Sequence, residues 1–230
     1  MDFAPFDQRG YPTLPVREGY SAWAATYEQV VQDEMDLRLL DRIQGMEWAG
    51  ADRALDLACG TGRAGAWLRA RGVRRLDGVD FTPDMLAQAC GKGLYDRLVE
   101  ADVTATGLES SAYDLMLQSL ADEHLADLGG LYRETARLAA PEAAFVLVGY
   151  HPHFLMTGMP AHFTGADGRP VAVESYVHLA SDHFRAASAA GWRLAAFDEG
   201  VIDDAWIAKK PKWARWRHHP VSFSMVWRRI

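Results

Sequence analysis

The chain has 230 residues, 49% of them hydrophobic, and a formal net charge of −7. This length suits one α/β domain with an added cap or lid, and the apolar fraction excludes a disordered chain. The charge disfavours a nucleic-acid partner, and no apolar run approaches the ~20 residues of a membrane span.

The opening stretch MDFAPFDQRGYP has no basic segment followed by an apolar one, so no signal peptide is expected and the expected location is the cytoplasm. Residues 1–50 read as a helical preface that folds as a lid. Trp23, Tyr27 and Val30 or Val31 stand at helical spacing, and Leu37, Leu40 and Ile43 repeat the pattern. From residue 51 strands and helices alternate. RALDLA is a strand, the helix of GRAGAWLRARG leaves a glycine loop and stops at Gly72, and LDGVD is a strand ending at Asp80. Thr82 as N-cap and Pro83 at the first helical position start the next helix. DRLVEAD and YDLMLQS are strands three and four. Asp127 caps a helix that stops before Pro141, and AAFVLVGY is strand five. This alternation predicts a mostly parallel sheet with helices on both faces.

Residues 151–181 form a long Gly- and Pro-marked excursion, which in a compact domain suggests a lid or a substrate wall. Its apolar residues, among them Phe154, Leu155 and Phe163, with Trp206, Trp213 and Trp216 further on, are enough to wall a pocket for a flat, apolar acceptor. A helix over DHFRAASAAGW and strands over RLAAFDE and VSFSMVWRR close the chain. The basic edge at 209–220 reads as solvated rather than as a nucleic-acid surface, and Cys59 and Cys90 make no disulfide framework or metal pair.

In open α/β sheets the ligand sits at the carboxyl ends of the strands. The first strand end carries LDLACGTGRAG, which holds the Gly60-x-Gly62-x-x-Gly65 spacing of a dinucleotide loop. Asp56 argues against a pyrophosphate there. A carboxylate about 6 Å from a phosphate charge costs roughly 3 kcal/mol per pair at an effective dielectric of 20. Arg63 could offset that cost, so charge alone favours a cationic ligand without closing the question. S-adenosylmethionine carries an ammonium and a sulfonium. Asp80 can accept from ribose hydroxyls and Asp102 from an adenine amine, while the Val103 amide can donate to a ring nitrogen and Met85 can cover the adenine face.

These residues also carry a resemblance. LDLACGTGR (55–63), GVDFTPDML (78–86), EAD (100–102) and YDLMLQSLADEHL (113–125) resemble the class I S-adenosylmethionine-dependent methyltransferases of the small-molecule type, related to ubiquinone-biosynthesis enzymes. The resemblance covers about residues 50–150. It implies a Rossmann-like seven-stranded sheet, mostly parallel, with an antiparallel last strand inserted beside the sixth. It implies that Asp56 and Gly60 frame the methionine moiety, Asp80 binds the ribose, and Asp102 with Val103 binds adenine. Tyr27, Ala58, Thr61, Gly62, Phe81, Met85 and Gln118 complete the expected cofactor set. Two departures stand out. PEA at 141–143 replaces the usual PGG turn, and Gln118-Ser119 stands where nucleobase and amide methyltransferases place an N/D-P-P-Y type motif.

Methyl transfer from a sulfonium needs alignment and, for a phenol, alcohol or acidic carbon, removal of a proton, but no metal. His124 after strand four and His151 or His153 after strand five are the base candidates. Tyr20 is a further candidate at the sulfonium end. The expected partner is a small-molecule acceptor taking O- or C-methylation, with N-methylation or non-transferring use of the cofactor as alternatives. The chain is expected to be a monomer or homodimer.

Overall fold

The computed structural model describes residues 1–30 and 35–229. Val31, one of the two packing positions proposed for the first helix, lies outside them, as does the side chain of Val30. The preface holds β1 (Thr13–Leu14) and three short helices, α1 (Val16–Trp23), α2 (Tyr27–Val30) and α3 (Leu37–Leu40). Among the described residues, the helical stretch expected from residue 20 onward is broken into two helices. The chain turns at residues 24–26, where the Thr26 hydroxyl donates to the Trp23 carbonyl. The turn sets the Tyr27 ring edge-on to Trp23 at 5.1 Å and 6.0 Å from Tyr20. In α3 Leu39 and Leu40, each 1% exposed, reach the core, and Leu37 and Ile43 pack against it partly buried.

The strands of the main sheet follow the expected order. They are β2 (Ala54–Leu57), β3 (Leu76–Asp80), β4 (Arg97–Glu100), β5 (Tyr113–Ser119), β6 (Ala139–Tyr150), β9 (Trp192–Val201) and β10 (Pro220–Arg229). Between them run α4 (Arg63–Ala70), α5 (Pro83–Gly91), α6 (Leu128–Leu138), α7 (Pro152–Met156), α8 (Ala180–Ala189) and α9 (Asp204–Lys209), and the strands β7 (His162–Thr164) and β8 (Pro170–Val173). The sheet order is β4-β3-β2-β5-β6-β10-β9, and β10 lies antiparallel to both of its neighbours. The sheet therefore has seven strands and one reversed strand, inserted as the resemblance implies.

Local signals explain the element ends. At Gly72 (φ +90°) the Val73 amide donates to the Leu68 carbonyl and the Gly72 amide to the Arg69 carbonyl. This is a Schellman stop, sealed by the buried pair Leu68 and Val73. Asp127 caps α6 by accepting from the Gly129 amide at 3.1 Å. Thr82 occupies the N-cap of α5 but makes no side-chain capping bond. Strand β6 begins four residues earlier than expected, because α6 passes straight into it and Pro141 falls in an irregular stretch of the β5–β6 ladder. Alternation along the strands builds both core faces. Leu55, Leu57 and Met116 enter one face, and Ala54, Leu115 and Leu117 enter the other.

The 151–181 excursion is not a bare loop. It contains α7, β7 and β8, and β8 pairs in parallel with β1 to form a second sheet of order β1-β8-β7. That sheet joins the excursion to the preface, and Phe163 stacks on Trp23 at 5.3 Å. No helix among the described residues is long and apolar enough to cross a membrane.

Candidate functional site

A cleft opens at the carboxyl ends of β2, β3 and β5. Its floor is the glycine loop. Ala58 and Gly60 both have φ of +52°, and a Cβ built on Gly60 would meet nothing within 4 Å. The loop thus presents bare backbone to open space. Asp80 stands beside it, 6% exposed. Its Oδ2 accepts from the Gly60 amide at 2.8 Å and its Oδ1 from the Thr82 amide at 2.8 Å. Burial pushes its carboxyl upward, against the pull of these bonds. The two bonds fix the carboxylate and leave lone pairs for a ligand diol.

Along the next strand end, Asp102 Oδ1 accepts from the amide and hydroxyl of Thr104 at 2.7 and 2.6 Å. Asp102 and Val103 line the cleft together with Phe81 and Met85. Tyr20 and Tyr27 line it from the preface, and His124 lines it from the turn after β5.

His124 and Tyr20 form a pair with a defined proton order. His124 Nδ1 lies 2.6 Å from the Glu174 carbonyl oxygen, which can only accept, so Nδ1 carries the hydrogen. Nε2 therefore holds a bare lone pair and accepts from the Tyr20 hydroxyl at 2.8 Å. Burial lowers His124 to about 4, keeping the imidazole neutral. Burial likewise raises the Tyr20 phenol well above its usual range.

Ten of the expected site residues converge here: Tyr20, Tyr27, Ala58, Gly60, Asp80, Phe81, Met85, Asp102, Val103 and His124. Five do not. Asp56 is 1% exposed and faces away from the cleft, its Oδ2 accepting from the Tyr95 hydroxyl at 2.7 Å. Burial lifts its pKa to about 7, and the side chain is engaged by Tyr95 rather than lining the cleft. Tyr95 also explains two of the glycines. A Cβ on Gly65 would lie 2.1 Å from its hydroxyl, and one on Gly62 would lie 3.2 Å from its ring. The fingerprint spacing therefore admits Tyr95 beneath the loop as much as it exposes backbone above it, and Gly62 stays out of the cleft. The Thr61 hydroxyl turns to Glu28 of α2 at 2.5 Å. Gln118 is buried, and its carboxamide oxygen accepts from the amides of Ala121 and Asp122 at 2.8 and 2.9 Å, holding the turn after β5. His151 caps α7, accepting from the His153 amide at 3.1 Å, while its Nε2 lies 2.8 Å from Glu199 outside the cleft.

Arg63 is also settled. Asp36 grips it at 2.9 and 3.0 Å and accepts from Ser119 Oγ at 2.9 Å. This tie and the Glu28–Thr61 bond fasten the preface over the glycine loop, and Arg63 is spoken for by a carboxylate rather than turned toward a phosphate. None of residues 151–181 lines the cleft. Phe154 and Trp206 sit in one satellite core, Phe163 in a second and Leu155 in a third. The excursion instead supplies the Glu174 carbonyl that orients His124. Val16, Thr82, Ser119, Leu120, Ala121 and Leu125 line the cleft without having been expected. For 119–121, position just past strand four was the available signal. Among the described residues no group of three or more His, Cys, Asp or Glu is placed to hold a metal ion.

Residues 55–147 match the profile of a methyltransferase domain family. A 44-residue segment is 59% identical to methyltransferase-like protein 27 of Homo sapiens, covering 19% of this chain and 18% of that protein. Over 176 residues the chain is 27% identical to malonyl-(acyl-carrier protein) O-methyltransferase of Methylovorus sp., covering 71% of this chain and 58% of the relative. The matched segments thus span less than two thirds of both curated relatives. The crystal structure of an S-adenosylmethionine-dependent methyltransferase from Mesorhizobium loti superposes with a TM-score of 0.67 at 23% identity, covering 85% of this chain and 98% of that one. Residues 55–147 thus resemble a methyltransferase domain, and the chain shares the fold of S-adenosylmethionine-dependent methyltransferases of known structure.

Proposed function

We propose that the cleft binds S-adenosylmethionine and that the chain methylates a small, apolar or aromatic molecule on oxygen or on an acidic carbon. The observation that carries this reading is that one cleft is lined both by Asp80, fixed beside the open Gly60 backbone, and by a His124–Tyr20 pair kept neutral by burial. The residues present fit the cofactor. The open space over Gly60 admits a ligand where any side chain would intrude. Asp80 takes the ribose hydroxyls, Asp102 and Val103 take the adenine edge, and Met85 and Phe81 pack on its faces. Tyr20 and Tyr27 offer aromatic faces, which attract a cation.

When bound, S-adenosylmethionine supplies a methyl group activated by a positively charged sulfur. The protein holds the acceptor in line and removes its proton. His124 Nε2 is the atom for that task, once the acceptor hydroxyl replaces or shares the bond from Tyr20. The preface acts as a lid, fastened through Asp36–Arg63 and Glu28–Thr61. The 151–181 excursion acts as the seat of the base through Glu174.

The test is titration of purified protein with S-adenosylmethionine, S-adenosylhomocysteine and NADH, followed by a panel of phenols, indoles, carboxylic acids and amines with methyl-labelled cofactor. Binding of both sulfur cofactors and label transfer to an acceptor are expected. NADH binding without response to either sulfur cofactor would defeat the reading.

A further inference from the structure

Next to His124 stands a carboxyl that the cofactor site does not use. Glu123 is 1% exposed, and neither of its oxygens has a hydrogen-bond partner among the described residues. Buried polar side chains are rarely left so, and each such group calls for an explanation. Glu123 Oε1 lies 3.5 Å from His124 Nε2, the nitrogen whose lone pair serves the cleft. That separation is long for a hydrogen bond and short for a charge interaction.

We infer that Glu123 is the charge partner of His124, a carboxyl that keeps its proton until a sulfonium occupies the cleft and then releases it to solvent.

The surroundings support this. Asp122 in the same turn is 2% exposed, and its Oδ1 is likewise without a partner. Its Oδ2 lies 3.4 Å from His183 Nε2 of α8, and Tyr132 of α6 stands 3.0 Å behind at His183 Nδ1. Tyr20 and Tyr27 of the preface and Tyr150 at the end of β6 lie within electrostatic reach of Glu123. Asp80 of β3 acts on the same two preface tyrosines, and Asp36 and Arg63 act on Tyr27 and Tyr150. Two adjacent buried carboxyls cannot both ionise cheaply. Burial, and Asp122 after it, push the Glu123 carboxyl well up.

A sulfonium suits this arrangement. It is a permanent cation with no proton to donate, so it can stabilise a carboxylate through space without a contact. Once Glu123 is a carboxylate, the proton that His124 takes from an acceptor makes an imidazolium–carboxylate pair instead of an isolated buried cation. The inference rests on the proposed S-adenosylmethionine reading.

The test compares S-adenosylmethionine with S-adenosylhomocysteine, which lacks the charge. Calorimetric titration in buffers of different ionisation enthalpy counts the protons released on binding. The wild-type chain should release up to about one more proton with the sulfonium cofactor than with the neutral one. Glu123→Gln, checked by retained S-adenosylhomocysteine binding, should abolish the difference. Equal release by wild type overturns the inference. So does a difference that survives in Glu123→Gln, which would assign it to Asp56, Asp80 or Asp122. Should the variant lose S-adenosylhomocysteine binding, infrared difference spectra of wild type carbon-13-labelled at its glutamate carboxyls decide. A protonated glutamate band lost with the sulfonium cofactor alone supports the inference, and an unchanged band overturns it. If wild type binds neither cofactor, the cofactor reading itself has failed.

Discussion

The Tyr20 hydroxyl donates to His124 Nε2 across 104 residues of sequence, at 2.8 Å. One partner comes from a preface helix and the other from the turn after β5. The bond joins the preface to the turn after β5, and the Glu174 carbonyl dictates which imidazole nitrogen carries the lone pair.

Replacing His124 with glutamine should slow the single-turnover chemical step by roughly 10²- to 10⁴-fold once an acceptor is known. With the imidazole held at about 4, the acidic limb of the free enzyme's profile assigned to this group should fall near pH 4 rather than near 6.5. Stability should follow with a defined sign. Between about pH 6.5 and 4 the unfolded histidine is protonated while the folded one is not, so stability falls as pH falls, by an amount on the order of 3 kcal/mol. Urea titrations of wild type and His124→Gln across this range measure it, and identical pH slopes would refute the assignment.

Asp56→Asn should leave S-adenosylhomocysteine affinity within a few-fold of wild type, because the side chain faces Tyr95 and not the cleft. Its folded pKa of about 7 lies above the unfolded value, so its stabilising contribution is complete at low pH and is lost as pH rises toward 7. The variant should lose that decline. A large drop in cofactor affinity would return Asp56 to the binding site.

Asp80→Asn should weaken cofactor binding tenfold or more. Each charge-assisted bond to a ribose hydroxyl is worth about 1.5–3 kcal/mol. Isothermal titration reads the loss directly, and unchanged affinity would mean that the ribose lies elsewhere.

Gly65→Ala should destabilise the fold by about 1–3 kcal/mol, as overpacking does. The added methyl would lie 2.1 Å from the Tyr95 hydroxyl and 2.5 Å from its Cζ. The urea midpoint checks this. A neutral result would show that Tyr95 can leave its place under the loop.

Glu142 sits exposed at φ +60°, the left-handed region that costs a non-glycine residue about 1–2 kcal/mol. Glu142→Gly should therefore raise thermal stability by roughly 0.5–1 kcal/mol, after the greater chain entropy of glycine is subtracted. A lower Tm would show that the Glu142 side chain contributes more than its backbone costs.

The sequence by itself determined the sheet, its strand ends and much of the cleft lining. Strand periodicity, the Gly72 stop and the Asp127 cap are local effects, and Asp80 and Asp102 are legible because a parallel sheet delivers its ligand to the strand ends. Tertiary packing decided the rest. Asp56 reads as a ligand only while Tyr95 is invisible, and Tyr95 stands 39 residues away, reaching under the loop through space left by glycines. His124 and His151 were alike as sequence signals. Glu174 and Tyr20 orient the first into the cleft, while Glu199 and the start of α7 turn the second away from it. The excursion read as a wall because its apolar residues carry no label for what they pack against, and pairing with β1 placed them in satellite cores. The partner of a side chain is a long-range property, and only the folded chain supplies it.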